Sequence, residues 1–154
     1  MADFILLDGD TVLFHNAFGA AMVMAPTARI RASGGGPEAS QPAQLVNGRR
    51  CCVEGDEATV RLAGVTYMAG AYAIPGSGTL WISRLAPQQV ARETKLDGKR
   101  VLLNANGYFF DATFEVNLPA KMPPPGPGSP IPDPVPRYLG KGYFVTGNTT
   151  RQGA

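Results

Sequence analysis

Few residues of this 154-residue chain are of a type that does chemistry. It has a single histidine, His15, so a serine or cysteine nucleophile activated by an imidazole would have to use that one ring. Ser77 lies in Gly76-Ser77-Gly78, which lacks the spaced glycines of a nucleophile elbow and reads as a turn. Cys51 and Cys52 are neighbours. In a strand they point to opposite faces, so a bridge between them would strain the backbone, and two free thiols are expected. A tetrahedral zinc site wants about four ligands, and histidine and cysteine together supply three here, two of them adjacent. Asp8, Asp10, Asp56 and Glu57 fall in or near turns, where they bond to local backbone, and they do not make a calcium loop. Gly126-Pro127-Gly128-Ser129 lacks the lysine and the free N–H groups of a phosphate cradle. No catalytic residue, cofactor or metal site is expected; zinc is the one metal the residue types bring to mind. Tyr67, Tyr72, Trp81, Tyr108, Phe109 and Phe110 could line a sugar-binding face, although in a sheet such residues more often fill a core.

The elements that would position these residues are short strands. Apolar residues make up 44% of the chain, enough for one core, and only 17% are charged, so much of the surface is neutral. With 19 Gly and 14 Pro, turn chemistry is dense, which points to an all-β fold and away from long helices. A net charge of +2 with no Lys/Arg run excludes binding of nucleic acid by phosphate neutralisation. The first residues lack the basic stretch and cleavage site of a secretory signal, and no apolar run is long enough to span a membrane. Folding in the cytoplasm is expected.

Three dipeptides of hairpin type, Asp8-Gly9, Asn47-Gly48 and Asp97-Gly98, each lie between apolar flanks. Aligned on glycine, Leu7-Asp8-Gly9-Asp10-Thr11-Val12-Leu13-Phe14, Val46-Asn47-Gly48-Arg49-Arg50-Cys51-Cys52-Val53 and Leu96-Asp97-Gly98-Lys99-Arg100-Val101-Leu102-Leu103 share one pattern. It is an aliphatic residue, Asp or Asn, Gly, two polar positions, then three apolar ones. Either a threefold internal repeat or three unrelated hairpins would produce it. Residues 18–30 read equally as a strand pair or a short helix, and 33–42 as a loop. Residues 65–73 and 79–82 read as strands joined by a turn at Pro75-Gly76-Ser77-Gly78. Ala112, Phe114, Val116 and Leu118 alternate with polar residues, as on a half-buried strand. Half of residues 119–136 are proline, which favours an extended arm. A last strand is expected over 138–145, and a fraying tail from 147. The boundary between a β domain, 1–118, and the Pro-rich arm with its final strand, 119–154, is drawn there.

Gly48-Arg49-Arg50-Cys51-Cys52-Val53-Glu54-Gly55-Asp56 has the length and frame of the Gly-Lys-Pro-Ala-Ala-Arg-Val-Gly-Asp segment of the proline-alanine-alanine-arginine (PAAR) spike-tip family. The glycine, the basic residue and the closing Gly-Asp match, and the order of parts over residues 45–103 is similar to that of PAAR-like proteins. The tetrad itself is replaced by Arg50, Cys51, Cys52 and Val53. Members that hold zinc near the apex use several histidines and a cysteine, so the resemblance implies here an apex held by packing.

The resemblance implies a small, cone-like, pseudo-threefold tip of β-hairpins with a Pro-rich C-terminal extension. It would cap the homotrimeric spike, of the valine-glycine-repeat type, in a type VI or phage-tail-like contractile injection system, with one copy per trimer. Three hairpins would cover the three unpaired strand edges of the trimer's end. The tip would leave the bacterium with the particle, sharpen the spike and meet the target membrane transiently, and the arm would lie along the cone or hold effector cargo. The turns Asp8, Gly9, Asn47, Gly48, Asp97 and Gly98 would set the hairpins. Val12, Val46, Cys52, Leu96, Val101 and Leu102 would pack inside or at the spike-docking base. A small carbohydrate-binding or adhesion β-sandwich, and a β-barrel enzyme using Cys51 or Cys52 with His15, are the rival readings.

Overall fold

The computed structural model describes residues 3–24, 27–32, 45–46, 49–96, 98–149 and 152–153. In chain order the strands are β1 (Asp3–Phe4), β2 (Thr11–Phe14), β3 (Ala17–Phe18), β4 (Ala21–Val23), β5 (Thr27–Arg29), β6 (Leu45–Val46), β7 (Arg49–Arg50), β8 (Arg61–Ala69), β9 (Tyr72–Arg84), β10 (Val90–Leu96), β11 (Lys99–Leu102), β12 (Phe110–Leu118), β13 (Lys121–Met122), β14 (Ile131–Pro132), β15 (Arg137–Val145) and β16 (Gln152–Gly153). Two short 3-10 turns, Asp56–Thr59 and Pro87–Gln89, are the helical elements among the described residues. The chain is all-β, as the turn-rich composition predicts, and consistent with a cone-like tip. The open choice over residues 18–30 falls to strands.

One sheet dominates, with strand order β3-β4-β8-β9-β12-β15-β2-β5 and with β13 and β14 attached beyond β9. It curls on itself. Phe18 of β3 packs on β15, where a side chain at Gly140 would stand 2.7 Å from the Phe18 ring. The concave side holds the larger core, built from Phe14, Phe18, Tyr67, Leu80, Phe110, Phe114 and Phe144 among others. Most of these are aromatic, on strands folded so that alternate residues face inward.

Two readings of local sequence are corrected. The turn between β8 and β9 falls at Gly70, with φ +54°, and β9 runs unbroken through Pro75-Gly76-Ser77-Gly78. Gly76 and Gly78 serve close packing instead of turning: a side chain at Gly76 would collide with the backbone of Leu118 and Ala120, and one at Gly78 with Glu115 O and the Phe114 ring. Leu118 is exposed (57%), because the alternation ends where β12 passes into the arm, while Thr113 on the opposite face is buried.

The Pro-rich segment is anchored at both ends. β13 pairs with β14 and with Ile74 of β9. The buried Asp133 carboxylate accepts hydrogen bonds from Tyr67 Oη (3.0 Å) and Tyr138 Oη (2.6 Å), and its N–H donates to Ala120 O (2.8 Å). Ala120 N–H in turn donates to Tyr67 Oη at 2.9 Å. β15 then lies between β12 and β2, so residues on both sides of 118/119 contribute to the same sheet.

Candidate functional site

The feature that distinguishes this fold from an ordinary curled sheet is a small junction of three chain segments. Leu6 N–H donates to Leu102 O (2.9 Å), Leu102 N–H to Cys52 O (3.0 Å), and Cys52 N–H to Leu6 O (2.8 Å), closing a ring of three bonds. A second set of three bonds, running in the opposite sense, flanks it: Asp8 N–H to Arg50 O (2.7 Å), Glu54 N–H to Arg100 O (2.8 Å) and Asn104 N–H to Phe4 O (2.8 Å). The antiparallel pairs Ile5 with Leu103, Leu7 with Cys51 and Val53 with Val101 complete the pattern. Residues 5–10, 51–56 and 101–106 are therefore equivalent about a pseudo-threefold axis.

The three segments read Ile5-Leu6-Leu7-Asp8-Gly9-Asp10, Cys51-Cys52-Val53-Glu54-Gly55-Asp56 and Val101-Leu102-Leu103-Asn104-Ala105-Asn106. Each runs through three apolar residues, then Asp, Glu or Asn, then a residue with positive φ: Gly9 at +81°, Gly55 at +99° and Ala105 at +46°. A bend there takes the chain out of the junction, and glycine adopts it without steric cost. In the first two segments the Asp that follows turns back on the junction. Asp10 Oδ2 accepts from Leu7 N–H (2.7 Å) and Asp56 Oδ2 from Val53 N–H (2.8 Å). The third segment has Asn106 instead, and Leu103 N–H donates to Gln89 O (2.8 Å).

The repeat is real, but its register differs from the alignment on Gly9, Gly48 and Gly98. Gly9 is matched by Gly55 and Ala105. Asp8-Gly9 forms a tight turn, with Asp10 N–H on Leu7 O at 3.0 Å, but its flanks do not pair with each other. Leu7 pairs with Cys51, and β2 with β15 and β5, so the expected first hairpin is absent. The other two hairpins form: β6 pairs with β7, and β10 with β11 about Gly98, whose φ is +82°. Asn47, Gly48 and Asp97 themselves lie outside the described residues, as does the side chain of Val46. The signal overlooked in the sequence was the six-residue pattern itself, weakened in its third copy by Ala105.

Side chains on alternate positions of the junction divide between two cores. Leu6, Cys52 and Leu102 point into the sheet's core; Ile5, Leu7, Cys51, Val53, Val101 and Leu103 form a second cluster with Ala91, against which Leu96 packs half-buried. Val12, Cys52, Val101 and Leu102 are fully buried. Neither cysteine is in a disulfide, and the two are buried on opposite faces as strand geometry requires. Burial pushes the Cys52 thiol far above the ordinary thiol range, with Asp56 and Asp10 adding to the effect, so it is held as the neutral thiol and not as a nucleophile. His15 lies elsewhere in contacts, its ring 5.0 Å from Phe109 and 5.8 Å from Tyr143.

The junction is braced by Asp10, 3% exposed, whose carboxylate also takes Gly147 N–H (3.1 Å), the Thr146 hydroxyl and the Arg49 guanidinium. Glu54 pairs with Arg100 (3.1 Å), and the hydrogen bonds from Arg100 hold its carboxyl below the usual range. The aromatic residues do not gather on one face: Tyr67 and Phe110 are core, Trp81 is half-buried under Arg61 (5.1 Å), and Tyr108 and Phe109 are exposed. Among the described residues no group of three or more His, Cys, Asp or Glu is placed to hold a metal ion, and no helix is long and apolar enough to cross a membrane.

A family model described as contractile injection system spike tip protein matches residues 1–154. No curated protein matches the chain.

Proposed function

The chain belongs to the contractile injection system spike tip family, and we propose that it caps the end of a homotrimeric spike as a single copy, through its pseudo-threefold junction. The observation that carries this reading is the closed ring of hydrogen bonds joining Leu6, Cys52 and Leu102. A trimer ends in three identical sets of strand edges. A single chain can satisfy all three only if it presents three like surfaces around one axis, and main-chain pairing then supplies affinity at each. The tip sharpens the spike and passes contractile force to the target membrane, without catalytic turnover. It needs no metal, since two apolar clusters and buried hydrogen bonds hold the junction together. The spike is of the valine-glycine-repeat type, and the particle carries the tip out of the cell.

Mixing the protein with the purified trimeric spike of the same particle and measuring the mass of the complex tests this. One copy per trimer is expected; a spike that binds no tip, or binds three, removes the reading. Elemental analysis of the purified protein should find no stoichiometric zinc, and a folded variant with both cysteines replaced by alanine should cap the spike as the parent does.

A further inference from the structure

The junction extends outward as three two-stranded arms, and one of them is built differently. Each inner strand carries an outer partner: β7 carries β6, β11 carries β10, and β1 carries β16. The registers correspond. Gly153 faces Asp3 as Val46 faces Arg49 and Leu96 faces Lys99; Gln152 faces Phe4 as Leu45 faces Arg50 and Lys95 faces Arg100. In two arms the partner is the neighbouring strand in sequence, two residues away along the chain. In the remaining arm it arrives from the far end of the chain.

The segment that brings it there is anchored, not frayed as its polar sequence suggests. Thr146 and Gly147 bond to the buried Asp10 carboxylate, and the Asn148 side-chain amide donates to Ile5 O at 2.9 Å. Gly153 is buried against the second cluster: a side chain there would stand 3.2 Å from Val101, 3.3 Å from Ile5 and 3.3 Å from Thr94. That is tighter than ordinary van der Waals contact, so β16 is seated on the apolar face of the junction because residue 153 has no side chain.

We propose that residues 146–149 and β16 form the third arm of the spike-docking platform, and that the trimer is held firmly only when β16 is seated. The proposal rests on the spike-capping reading above. A homotrimer presents three equal strand ends, and a tip with two arms leaves one of them unpaired and open to water. The partner surface is therefore set by both ends of the chain, and a bulky group at position 153 acts on docking although it lies far in sequence from the other two arms.

The experiment compares the parent protein with Gly153→Trp, Gly153→Ala and Ser129→Ala for binding to the purified trimeric spike, after near-ultraviolet circular dichroism and thermal melting have established that the sheet is intact. Ser129 is exposed and lies outside the three arms, so its substitution should bind as the parent does. Gly153→Trp should weaken binding at least tenfold, and Gly153→Ala by a smaller factor in the same direction. The alanine variant decides the matter if the tryptophan variant does not fold. Parent-like affinity in folded position-153 variants overturns the proposal and leaves the capping reading standing. A parent protein that does not bind the spike overturns the capping reading itself.

Discussion

Leu6 N–H donates to the carbonyl oxygen of Leu102 at 2.9 Å, joining two segments that lie far apart in the chain, and the side chains of both residues are wholly buried in the same core. The main-chain ring and the packing beneath it are thus one structure, and disturbing either loosens the other. Leu6→Ala should lower unfolding free energy by about 2–5 kcal/mol. Leu96→Ala, at a half-buried position beside the second cluster, should cost about 1 kcal/mol. Urea unfolding followed by tryptophan fluorescence measures both; a loss under 1 kcal/mol for Leu6→Ala would show that the junction is not cooperative with the sheet.

Gly55 and Ala105 occupy equivalent bends with φ of +99° and +46°. Nothing lies within 4 Å of where a side chain at Gly55 would stand, so Gly55→Ala meets backbone strain alone and should destabilise by about 1 kcal/mol. Ala105 is buried, and its methyl contributes about 0.8 kcal/mol of burial. Ala105→Gly should therefore change stability by only a few tenths of a kcal/mol, strain relief offsetting the lost methyl. Thermal midpoints of the pair check the contrast, which vanishes if the two bends are not equivalent.

Asp10 is a buried charge satisfied by one guanidinium, one hydroxyl and two main-chain N–H groups. Asp10→Ala leaves those donors without their acceptor and should cost about 3–5 kcal/mol. Amide exchange should quicken at Leu7 and Gly147 together. Protection retained at Gly147 would show that its segment is held by other contacts.

Stability should fall on the alkaline side. Burial raises the pKa of Cys52, Tyr67 and Tyr138, so the folded state holds these protons more tightly than the unfolded one. The stabilisation is complete below the unfolded pKa and is lost as pH rises through the interval up to the folded value. Cys52 begins to act above about pH 8.5 and the tyrosines above about pH 10, each with a limiting slope of about 1.4 kcal/mol per pH unit. Urea midpoints from pH 7 to 11 should trace this fall, and Cys52→Ala should flatten the stretch between about 8.5 and 10. A parent curve that is level across that stretch contradicts the assignment.

Asp133 ties the Pro-rich segment to the sheet through Tyr67 and Tyr138. In Asp133→Ala both tyrosine hydroxyls, which donate to the same oxygen Oδ2, lose their acceptor, each at a cost of about 1–3 kcal/mol. Limited proteolysis within residues 123–130 should then quicken several-fold while the sheet survives. An unchanged cleavage rate would mean that β13 and β14 hold the segment unaided.

Local chemistry determined much of this protein from sequence. Dense turn residues and apolar alternation mark it as all-β; the dipeptides at 47–48 and 97–98 lie between strands that do pair, because a two-residue connection leaves neighbouring strands little choice; and adjacent cysteines had to face apart. Tertiary contact decided the rest. Gly76 and Gly78 look like a turn until β12 and the arm are brought against them, since a glycine needed for close approach and a glycine needed for bending are the same letter. The true register of the repeat, matching Gly9 to Gly55 and Ala105, lies in hydrogen bonds between segments distant in the chain. The third arm is the clearest case. Gln152 and Gly153 carry no strand signal of their own, and β16 exists only because Asp10, Ile5 and Val101, assembled by the fold, hold that segment against the first strand.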